Sequence, residues 1–372
     1  MIKKTLIITG ILFLLIIISG TLFMNLAPQF GGKISKEQKT EFEKLKHYKD
    51  GKFINDEPIN LSFDFKKVTT ILKDLISPKK NTKPSKNIEV ESFDLDNLKT
   101  KDNITKVTWL GHSSFLIQIA NKTLLIDPVF SDYASPIKYV GDKRFNTEMP
   151  FSLSDLEEID IVIISHDHYD HLDYETIMSI KSKVKHVITP LGVGNHFKAW
   201  NVNPNIINEL DWWDSLDIDN LKVICTPSRH MSGRRLTDQS TTLWASWCLI
   251  TENDKLYFSG DGGYGKHFKE IGNKYGPFDF GMLECGQYDH KWKNVHMIPE
   301  ESVKAGIDTK SQVIMPIHWA SFKLANHEWH EPADRFVTEA KKQHIKYVTP
   351  KIGETVVIHS ISLPQKKWWQ FL

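Results

Sequence analysis

The sequence has few cysteines, almost no net charge and no internal repeat. Its 372 residues include three cysteines, Cys225, Cys248 and Cys285, and none of them forms a CxxC pair. An odd number of separated cysteines argues against a disulfide framework, and we expect all three to pack as small apolar residues. A formal net charge of +1 gives no reason to expect a nucleic-acid partner.

The first 32 residues differ from the rest of the chain because they are almost wholly apolar. Lys3 and Lys4 precede an apolar run over residues 6–24, which is long enough to cross a bilayer as a helix. A cleaved signal peptide is the alternative, but no convincing small-x-small cleavage site and no lipobox cysteine follow the run. We expect a single-pass anchor with its basic end in the cytoplasm and the rest of the chain outside. Signal cleavage would instead give an exported soluble protein.

Residues 33–103 form a lysine-rich lead-in with helical features. Ser35 and Gln38 have the spacing of a capping box, and Gly51 is a candidate for the end of that helix. A second helix is predicted by apolar residues at helical spacing before Pro78, namely Phe65, Val68, Leu72, Leu75 and Ile76. Residues 79–86 are predicted to be an exposed linker.

One short segment has metal-ligand residue types at high density. His166, His168, Asp170 and His171 directly follow the apolar run 159–165, which is typical of a buried strand. Imidazole nitrogens and carboxylate oxygens bind Zn²⁺ and its first-row neighbours. Alternate residues of an extended segment point the same way, so His166 and His168 can hold one ion. The following turn lets Asp170 and His171 face a second ion, which predicts a two-metal hydrolytic centre.

Three further candidate ligands each follow a short apolar run that is typical of a strand. They are His230 after residues 221–226, Asp261 after residues 255–259 and His318 after residues 312–317. Glycines on both sides of Asp261 would let the backbone approach its neighbours closely. A metal site on the rigid edge of a sheet is built from such strand ends. The remaining sequence alternates short strands with helical stretches, such as 174–183 and 299–309, and indicates a mixed α/β class.

In this order, the motif and the later residues resemble the metallo-β-lactamase-fold hydrolases over about residues 105–360. Within them, the sequence is most similar to the N-acylphosphatidylethanolamine-hydrolysing phospholipase D family and its bacterial relatives. The segments that carry this narrower resemblance are TWLGHSS (108–114), LIDPVFSDYASP (125–136), HDHYDHLD (166–173) and LWASW (243–247). The resemblance implies an α/β (α+β) fold, a four-layer αββα sandwich over residues 104–372, with metals at one edge and the predicted transmembrane helix before it.

The resemblance also implies a ligand set for two zinc ions, carried over residue by residue. One zinc would be bound by His166, His168 and His230, the other by Asp170, His171 and His318, with Asp261 bridging the two. Asp170 and Asp261 would also position the hydroxide that attacks the substrate, so both are candidate catalytic residues. Manganese and iron stay open, because ligand type only narrows the choice of metal.

Four residues around these ligands are candidates for supporting roles. His296 matches a position where the phospholipase family has an active-site histidine, which could orient a phosphate oxygen or protonate the leaving group. Tyr169 is predicted to bind substrate together with His296. Asp127 is a candidate to orient a ligand imidazole, with turn capping as the alternative. His112 either lines the site or hydrogen-bonds the turn that contains it.

The function implied is that of a membrane-anchored dizinc hydrolase that cleaves a phosphodiester in a membrane lipid, in the manner of an N-acylphosphatidylethanolamine phospholipase D. One alternative is a lactonase or other carboxyl-ester hydrolase with the same dizinc centre. Another is a metal-stabilised binding module without turnover. A redox di-iron centre is less favoured, because glutamate in place of His168 would suit that chemistry better.

Overall fold

The computed structural model describes residues 2–59, 79–100 and 102–372. It begins with helix α1 (Ile2–Leu26) and a 3-10 turn (Pro28–Phe30), followed by α2 (Lys36–Phe42) and a hairpin of β1 (Tyr48–Lys49) and β2 (Lys52–Phe53). The helix expected around Phe65, Val68, Leu72, Leu75 and Ile76 lies outside the described residues and stays a prediction.

Helix α1 is apolar on all sides, and in the described part of the chain its side chains are exposed along most of its length. Its segment Lys4–Leu26 has 23 residues and contains an 18-residue window with a mean hydropathy of 2.7 and no buried share. At 1.5 Å per residue the segment is about 35 Å long, which exceeds the roughly 30 Å hydrocarbon core of a bilayer. By length and composition α1 is therefore a candidate membrane span, although a signal sequence near the N-terminus has the same properties.

Helix α2 begins where the sequence predicts and ends earlier. The Ser35 side chain accepts from the Gln38 backbone amide, and the Gln38 side chain accepts from the Ser35 amide, which completes the capping box. The expectation that Gly51 ends this helix is wrong. The helix stops at Phe42, whose buried ring packs against Phe53 at 5.2 Å between ring centroids. Gly51 lies in the hairpin turn instead, with a φ of +79° that favours glycine.

The rest of the chain forms two seven-stranded sheets. Their strands are β3 (Lys106–Trp109), β4 (Phe115–Ile119), β5 (Lys122–Ile126), β6 (Ile159–Ile163), β7 (Val184–Pro190), β8 (Ile207–Leu210), β9 (Ser215–Ile218), β10 (Leu221–Thr226), β11 (Ser246–Ile250), β12 (Lys255–Phe258), β13 (Phe278–Glu284), β14 (Ser311–Ile317), β15 (Lys346–Tyr347) and β16 (Thr355–Val357). The helices between them are α3 (Tyr174–Ile180), α4 (Gly194–Ala199), α5 (His267–Lys274), α6 (Pro299–Asp308) and α7 (Glu331–Lys342).

The two sheets have the same internal plan. The first has the order β16-β3-β4-β5-β6-β7-β8, and the second has the order β15-β14-β13-β12-β11-β10-β9. In the first sheet the neighbours from β16 to β5 are antiparallel and those from β5 to β8 are parallel. In the second, the neighbours from β9 to β12 are antiparallel and those from β12 to β15 are parallel.

Alternating side chains divide the core between the layers. In β4, Phe115 and Ile117 point into the core between the sheets, whereas Leu116 packs with Ile177 of α3 and Phe197 of α4 in a second apolar cluster. This is the period-2 pattern of a strand that is buried on both faces. Helices α5, α6 and α7 cover the other sheet. The arrangement is the four-layer αββα sandwich that the family resemblance implies.

The three cysteines are free and fully buried, as expected. Cys225 in β10 and Cys248 in β11 lie opposite each other's neighbours within the second sheet, and Cys285 follows β13. Burial raises the pKa of each thiol above its ordinary value. They therefore pack as apolar residues.

Candidate active site

The residues of the site follow strands that run in one direction within each sheet, so their side chains meet at one edge. In the first sheet, residues 166–171 follow β6, and His112 and Asp127 follow β3 and β5. In the second sheet, His230, Asp261 and His318 follow β10, β12 and β14. The two loops around His112 and His318 are tied together, because the His318 amide donates to the His112 carbonyl at 3.0 Å.

The glycines beside Asp261 are needed for the close approach of its loop. Gly260 has a φ of +56°, and a Cβ there would lie 2.6 Å from the Ala245 carbonyl oxygen. A Cβ on Gly263 would lie 2.0 Å from the Asn294 carbonyl oxygen. Only glycine fits both positions without moving the backbone.

His166, His168 and His230 form the first ligand group. His168 Nδ1 lies 2.9 Å from His166 Nε2 and 3.3 Å from His230 Nε2. In His230 and His166, the Nδ1 atom that faces away from this group has its own contact. His230 Nδ1 donates to the Val295 carbonyl at 3.0 Å, and His166 Nδ1 lies 3.0 Å from Ser165 Oγ. A proton on Nδ1 of each ring leaves the Nε2 lone pair free, which is the form that binds a metal.

Asp170, His171 and His318 form a second group, which also includes His112. His112 Nε2 lies 2.9 Å from Asp170 Oδ2, and His171 Nε2 lies 3.5 Å from the same oxygen. These side chains are buried, and donor atoms from all four lie within 4.8 Å of one another. The structure thus places His112 in direct contact with a predicted ligand.

Asp127 is hydrogen-bonded to Nδ1 of His171, the ring nitrogen that does not face the ligand group. It is completely buried, and its Oδ2 accepts from His171 Nδ1 at 2.7 Å and from the Ser165 hydroxyl at 2.5 Å. Its Oδ1 accepts from the Ser165 amide at 2.7 Å. The carboxylate therefore orients the imidazole and also fixes the loop before residue 166, so it serves both uses considered from the sequence.

Asp261 lies between the two ligand groups. Its Oδ2 is 3.1 Å from His171 Nε2 and 3.9 Å from both His166 Nε2 and His230 Nε2, and its Oδ1 is 3.2 Å from His318 Nδ1. Burial opposes its ionisation, but the charges of His171 and His318 hold the pKa of Asp261 well below its ordinary value. A carboxylate in this position can contact ions in both groups.

Several ligand atoms are buried without a hydrogen bond, although two of them, His171 Nε2 and Asp261 Oδ1, lie close to an ionisable neighbour. Within the described part of the chain, Asp261 Oδ1, His171 Nε2 and His318 Nε2 form no hydrogen bond. Each buried polar atom left without a partner costs about 1–3 kcal/mol. Nitrogen and oxygen lone pairs that converge in this way fit Zn²⁺ or a related first-row ion. The residues therefore fit a metal centre at this edge.

His296 belongs to a buried pair that the sequence analysis did not find in full. Its Nδ1 is hydrogen-bonded to the Glu284 carboxylate, and its ring stacks on His318 at 5.2 Å with an interplanar angle of 9°. The other Glu284 oxygen accepts from the Gly262 amide at 2.7 Å. Burial of the ring opposes its charge, but Glu284 raises the pKa of His296 above its ordinary value. Glu284 ends a strand beside the site, which is the signal that was available.

Tyr169 lies at the margin of the site rather than among the ligands. Its hydroxyl donates to the Arg234 carbonyl at 2.6 Å, and the Arg234 guanidinium lies over its ring at 4.1 Å from the centroid. Burial raises the pKa of Tyr169 to about 12. Any contact with substrate would therefore involve its ring. Arg234, which the sequence analysis did not single out, also donates to the Asp167 and Leu172 carbonyls at 2.7 Å each.

Known proteins resemble the chain in sequence and in fold. Residues 122–319 match the family described as the beta-lactamase superfamily domain. An uncharacterised protein of Mycobacterium tuberculosis is 39% identical over 319 residues, which cover 84% of this chain and 85% of the relative. An N-acyl-phosphatidylethanolamine-hydrolyzing phospholipase D 1 of Caenorhabditis elegans is 33% identical over 264 residues, which cover 66% of this chain and 74% of the relative.

Among solved structures, a possible metal-dependent hydrolase from Veillonella parvula superposes with a TM-score of 0.55 at 15% identity. The superposition covers 68% of this chain and 100% of that one. This is a likeness of fold.

Proposed function

Because the chain belongs to the metallo-β-lactamase superfamily of metal-dependent hydrolases, we propose that it is a dinuclear zinc enzyme that cleaves a phosphodiester of a membrane lipid. The proposed substrate class is an N-acylated phosphatidylethanolamine. Its hydrolysis by water would give phosphatidic acid and an N-acylethanolamine. The observation that carries the proposal is the position of Asp261, within 3.9 Å of imidazole nitrogens from both ligand groups.

The proposed ligand allocation follows the two groups. One ion would be held by His166, His168 and His230, the other by Asp170, His171 and His318, with Asp261 between them. Two bound ions supply Lewis acidity towards the phosphoryl oxygens and a water nucleophile at neutral pH. Asp127 fixes His171 and the loop at Ser165, so these groups need little reorganisation when substrate binds.

The chain's own groups have distinct tasks in the proposed reaction. Asp170 and Asp261 accept hydrogen bonds from the attacking water and so aim its oxygen at phosphorus. His296, whose pKa the neighbouring Glu284 raises, would donate its proton to the oxygen of the departing alcohol. In its protonated form, this ring beside the ligand groups would favour an anionic phosphodiester over the neutral carbonyl of a lactone.

The substrate class also agrees with the proposed membrane anchor. Helix α1 has the length and hydropathy of a span, and Lys3 and Lys4 at its start favour a cytoplasmic N-terminus with the catalytic domain on the other side. An enzyme held in this way meets its lipid substrate in the plane of the membrane. Cleavage of α1 as a signal sequence would instead release the domain.

The experiment that tests this function is hydrolysis by the full-length chain purified in detergent micelles. The enzyme would be given mixed micelles that contain an N-acylated phosphatidylethanolamine and, in a separate assay, a panel of lactones. Its metal content would be measured in the same sample. We expect release of phosphatidic acid, about two zinc ions per chain, and loss of activity on chelation that zinc restores. Turnover of lactones with intact phosphodiesters would contradict the phosphodiesterase and favour the carboxyl-ester alternative.

A further inference from the structure

The end of helix α1 is held by the catalytic domain. Arg235 donates from Nε to the Met24 carbonyl at 3.0 Å and from Nη2 to the Gly31 carbonyl at 2.7 Å. Trp200 Nε1 donates to the Pro28 carbonyl at 2.6 Å. We call residues 24–31 the collar. The carbonyls at the end of a helix have no partner within it, and here the domain supplies one to Met24.

The side chain of Arg234 also links the collar to the metal-binding loop. Arg234 donates from Nε and Nη2 to the Gln29 carbonyl, at 3.0 and 2.6 Å, and from Nη1 to the Asp167 carbonyl at 2.7 Å. Arg234 is buried, with 3% of its surface exposed. In addition, the ring of Phe30 contacts the edge of Tyr169 at 6.4 Å. These contacts therefore fix the end of α1 relative to the site, so that no flexible linker separates the helix from the domain.

Exposed apolar side chains follow two residues that contact the collar. Gln29 Nε2 donates to the Pro136 carbonyl at 2.7 Å, and the exposed residues that follow include Tyr139, 73% exposed. Leu236, 80% exposed, directly follows Arg235. We call this set the rim, and its members are Ile137, Tyr139, Val140 and Leu236. Lys138 stands among them with its ammonium 5.2 Å from the Tyr139 ring centroid.

We propose that the rim rests on the surface of the bilayer that α1 crosses, so that the metal site opens next to the lipid headgroups. The bilayer is the chosen occupant because the rim is continuous with the end of α1, whose own apolar surface is exposed. A tyrosine and a lysine among aliphatic side chains also suit the boundary between headgroups and acyl chains. The proposal rests on the membrane anchor proposed above and not on the phosphodiesterase reaction.

The first measurement is the intact mass of the chain extracted from membranes. A full-length mass is expected, because the collar is part of the folded domain. A mass that lacks the first two dozen or so residues would overturn the proposal, because the span that the rim borders would be gone.

The second measurement reads the depth of the rim in the bilayer. The full chain would be reconstituted into nanodiscs of phosphatidylcholine and phosphatidylglycerol as single-cysteine variants Tyr139→Cys, Leu236→Cys and Ile361→Cys, each labelled with a bimane fluorophore. The native cysteines are fully buried and would stay unlabelled. Ile361 is the matched control, since it is exposed and apolar but lies near the opposite end of the sheets, where Ile358 pairs with Thr105 ahead of β3.

The labels at the two rim positions should be quenched several-fold more by nitroxide-bearing lipids than the label at Ile361, and less by iodide in the buffer. Iodide quenching equal to that at Ile361 would overturn the proposal. Protection from both quenchers would also overturn it, because a protein surface, such as a second copy of the chain, would then cover the rim.

A further variant tests whether the collar holds the rim in place. Arg235→Ala frees the Met24 and Gly31 carbonyls but leaves the ligand groups and Arg234 untouched. Combined with Tyr139→Cys, it should reduce the lipid quenching at position 139 while the metal content stays unchanged. Undiminished quenching would show that the collar does not set the position of the rim, and that part of the proposal would be wrong.

Discussion

The two ends of the paired sheets each carry a cluster of histidine and aspartate residues, but the carboxylates of the two clusters are engaged differently. At the site edge, Asp261 lies between His171 and His318, and among the described residues its Oδ1 accepts no hydrogen bond. All three side chains are nearly inaccessible to solvent. The ligand atoms at this end lie close together, and several of them form no hydrogen bond within the described part of the chain.

At the far end, Asp254, Asp279 and His359 also lie within reach of one another. Here the carboxylates already accept hydrogen bonds from other protein groups. Asp254 accepts from the Thr105 hydroxyl at 2.6 Å and from His359 Nε2 at 2.8 Å, and Asp279 accepts from the Lys255 amide at 2.8 Å. His359 has 57% of its side chain exposed. This cluster fastens loops and strand ends.

The comparison shows that residue type and proximity alone do not identify a metal site. A carboxylate whose two oxygens each accept a hydrogen bond already has a partner for each oxygen, so a metal would have to compete with those bonds. Buried donors that lack partners are stabilised by a metal instead. The contrast therefore favours the site edge as the place where a metal would bind, and a structural role for the far end.

The largest predicted effect comes from replacing Asp261 at the site edge, with Asp279 at the far end as its counterpart. We expect Asp261→Asn to lower turnover by about 10³-fold or more, equivalent to about 4 kcal/mol, because a neutral amide cannot serve both ligand groups. Metal content, measured by mass spectrometry of the elements, should fall as well. Asp279→Asn is the matched control and should leave both quantities unchanged. Full metal content and turnover in the Asp261 variant would remove the basis of the contrast.

Asp167 tests the comparison further. It lies within the metal motif in sequence, but, like the carboxylates at the far end, it accepts hydrogen bonds from other protein groups. It accepts from His196 Nε2 at 3.1 Å, from the Gly233 amide at 2.7 Å and from the Thr242 hydroxyl at 2.8 Å. We expect Asp167→Asn to lower the free energy of unfolding by about 3 kcal/mol at pH 7, as for other broken buried pairs. Urea denaturation measures this loss, and metal content should change little if the fold persists.

The pH dependence of that loss follows from the pKa of Asp167. Burial opposes its ionisation, but His196 and the other donors hold the pKa of the folded state below the ordinary value. Its stabilisation is therefore complete above the unfolded pKa of about 4 and is lost as the pH falls towards the lower folded value. The difference between wild type and variant should shrink below about pH 4. A difference independent of pH would contradict the charge-based explanation.

A smaller effect concerns the Glu284–His296 pair. Glu284→Gln removes the charge that raises the pKa of His296, so the ring should lose its proton at lower pH. If His296 acts as the acid, activity falls as the pH rises through that pKa, and the fall should move to lower pH in the variant. We expect turnover at pH 8 to drop about 10- to 100-fold.

The control for this pair is His296→Gln, alone and combined with Glu284→Gln. Residues that act as a unit give non-additive effects, so the double variant should be little worse than His296→Gln alone. Fully additive losses, or an unshifted pH profile, would show that Glu284 acts only on the fold.

The sequence predicted what depends on local pattern. The strands before residues 166–171, His230, Asp261 and His318 are present, because short β-branched apolar runs determine them. The resemblance supplied the αββα layering and the grouping of ligands that the structure brings together. The capping box at Ser35 was also readable, since all of its parts lie within four residues.

What the sequence did not reveal depends on partners that are distant in the chain. Glu284 reads as the polar end of an apolar strand, and only folding places it against His296. Helix α2 was expected to reach Gly51, but the burial of Phe42 against Phe53 ends it sooner. Arg234 and Arg235 have the sequence context of two loop cations, but their acceptors include backbone carbonyls about 200 residues earlier in the chain. A carbonyl has no signature in the sequence, so such contacts are invisible until the chain is folded.

The smallest expected effect lies at the far end. His359→Ala removes one partner of Asp254, and because His359 is largely exposed the loss in the free energy of unfolding should be about 0.5 kcal/mol or less. Asp254 keeps the Thr105 hydroxyl, so the loop remains fastened. Urea denaturation and metal content measured together test this. A fall in metal content would mean that the far end binds an ion despite its saturated carboxylates, and the criterion that separates the two clusters would have to be abandoned.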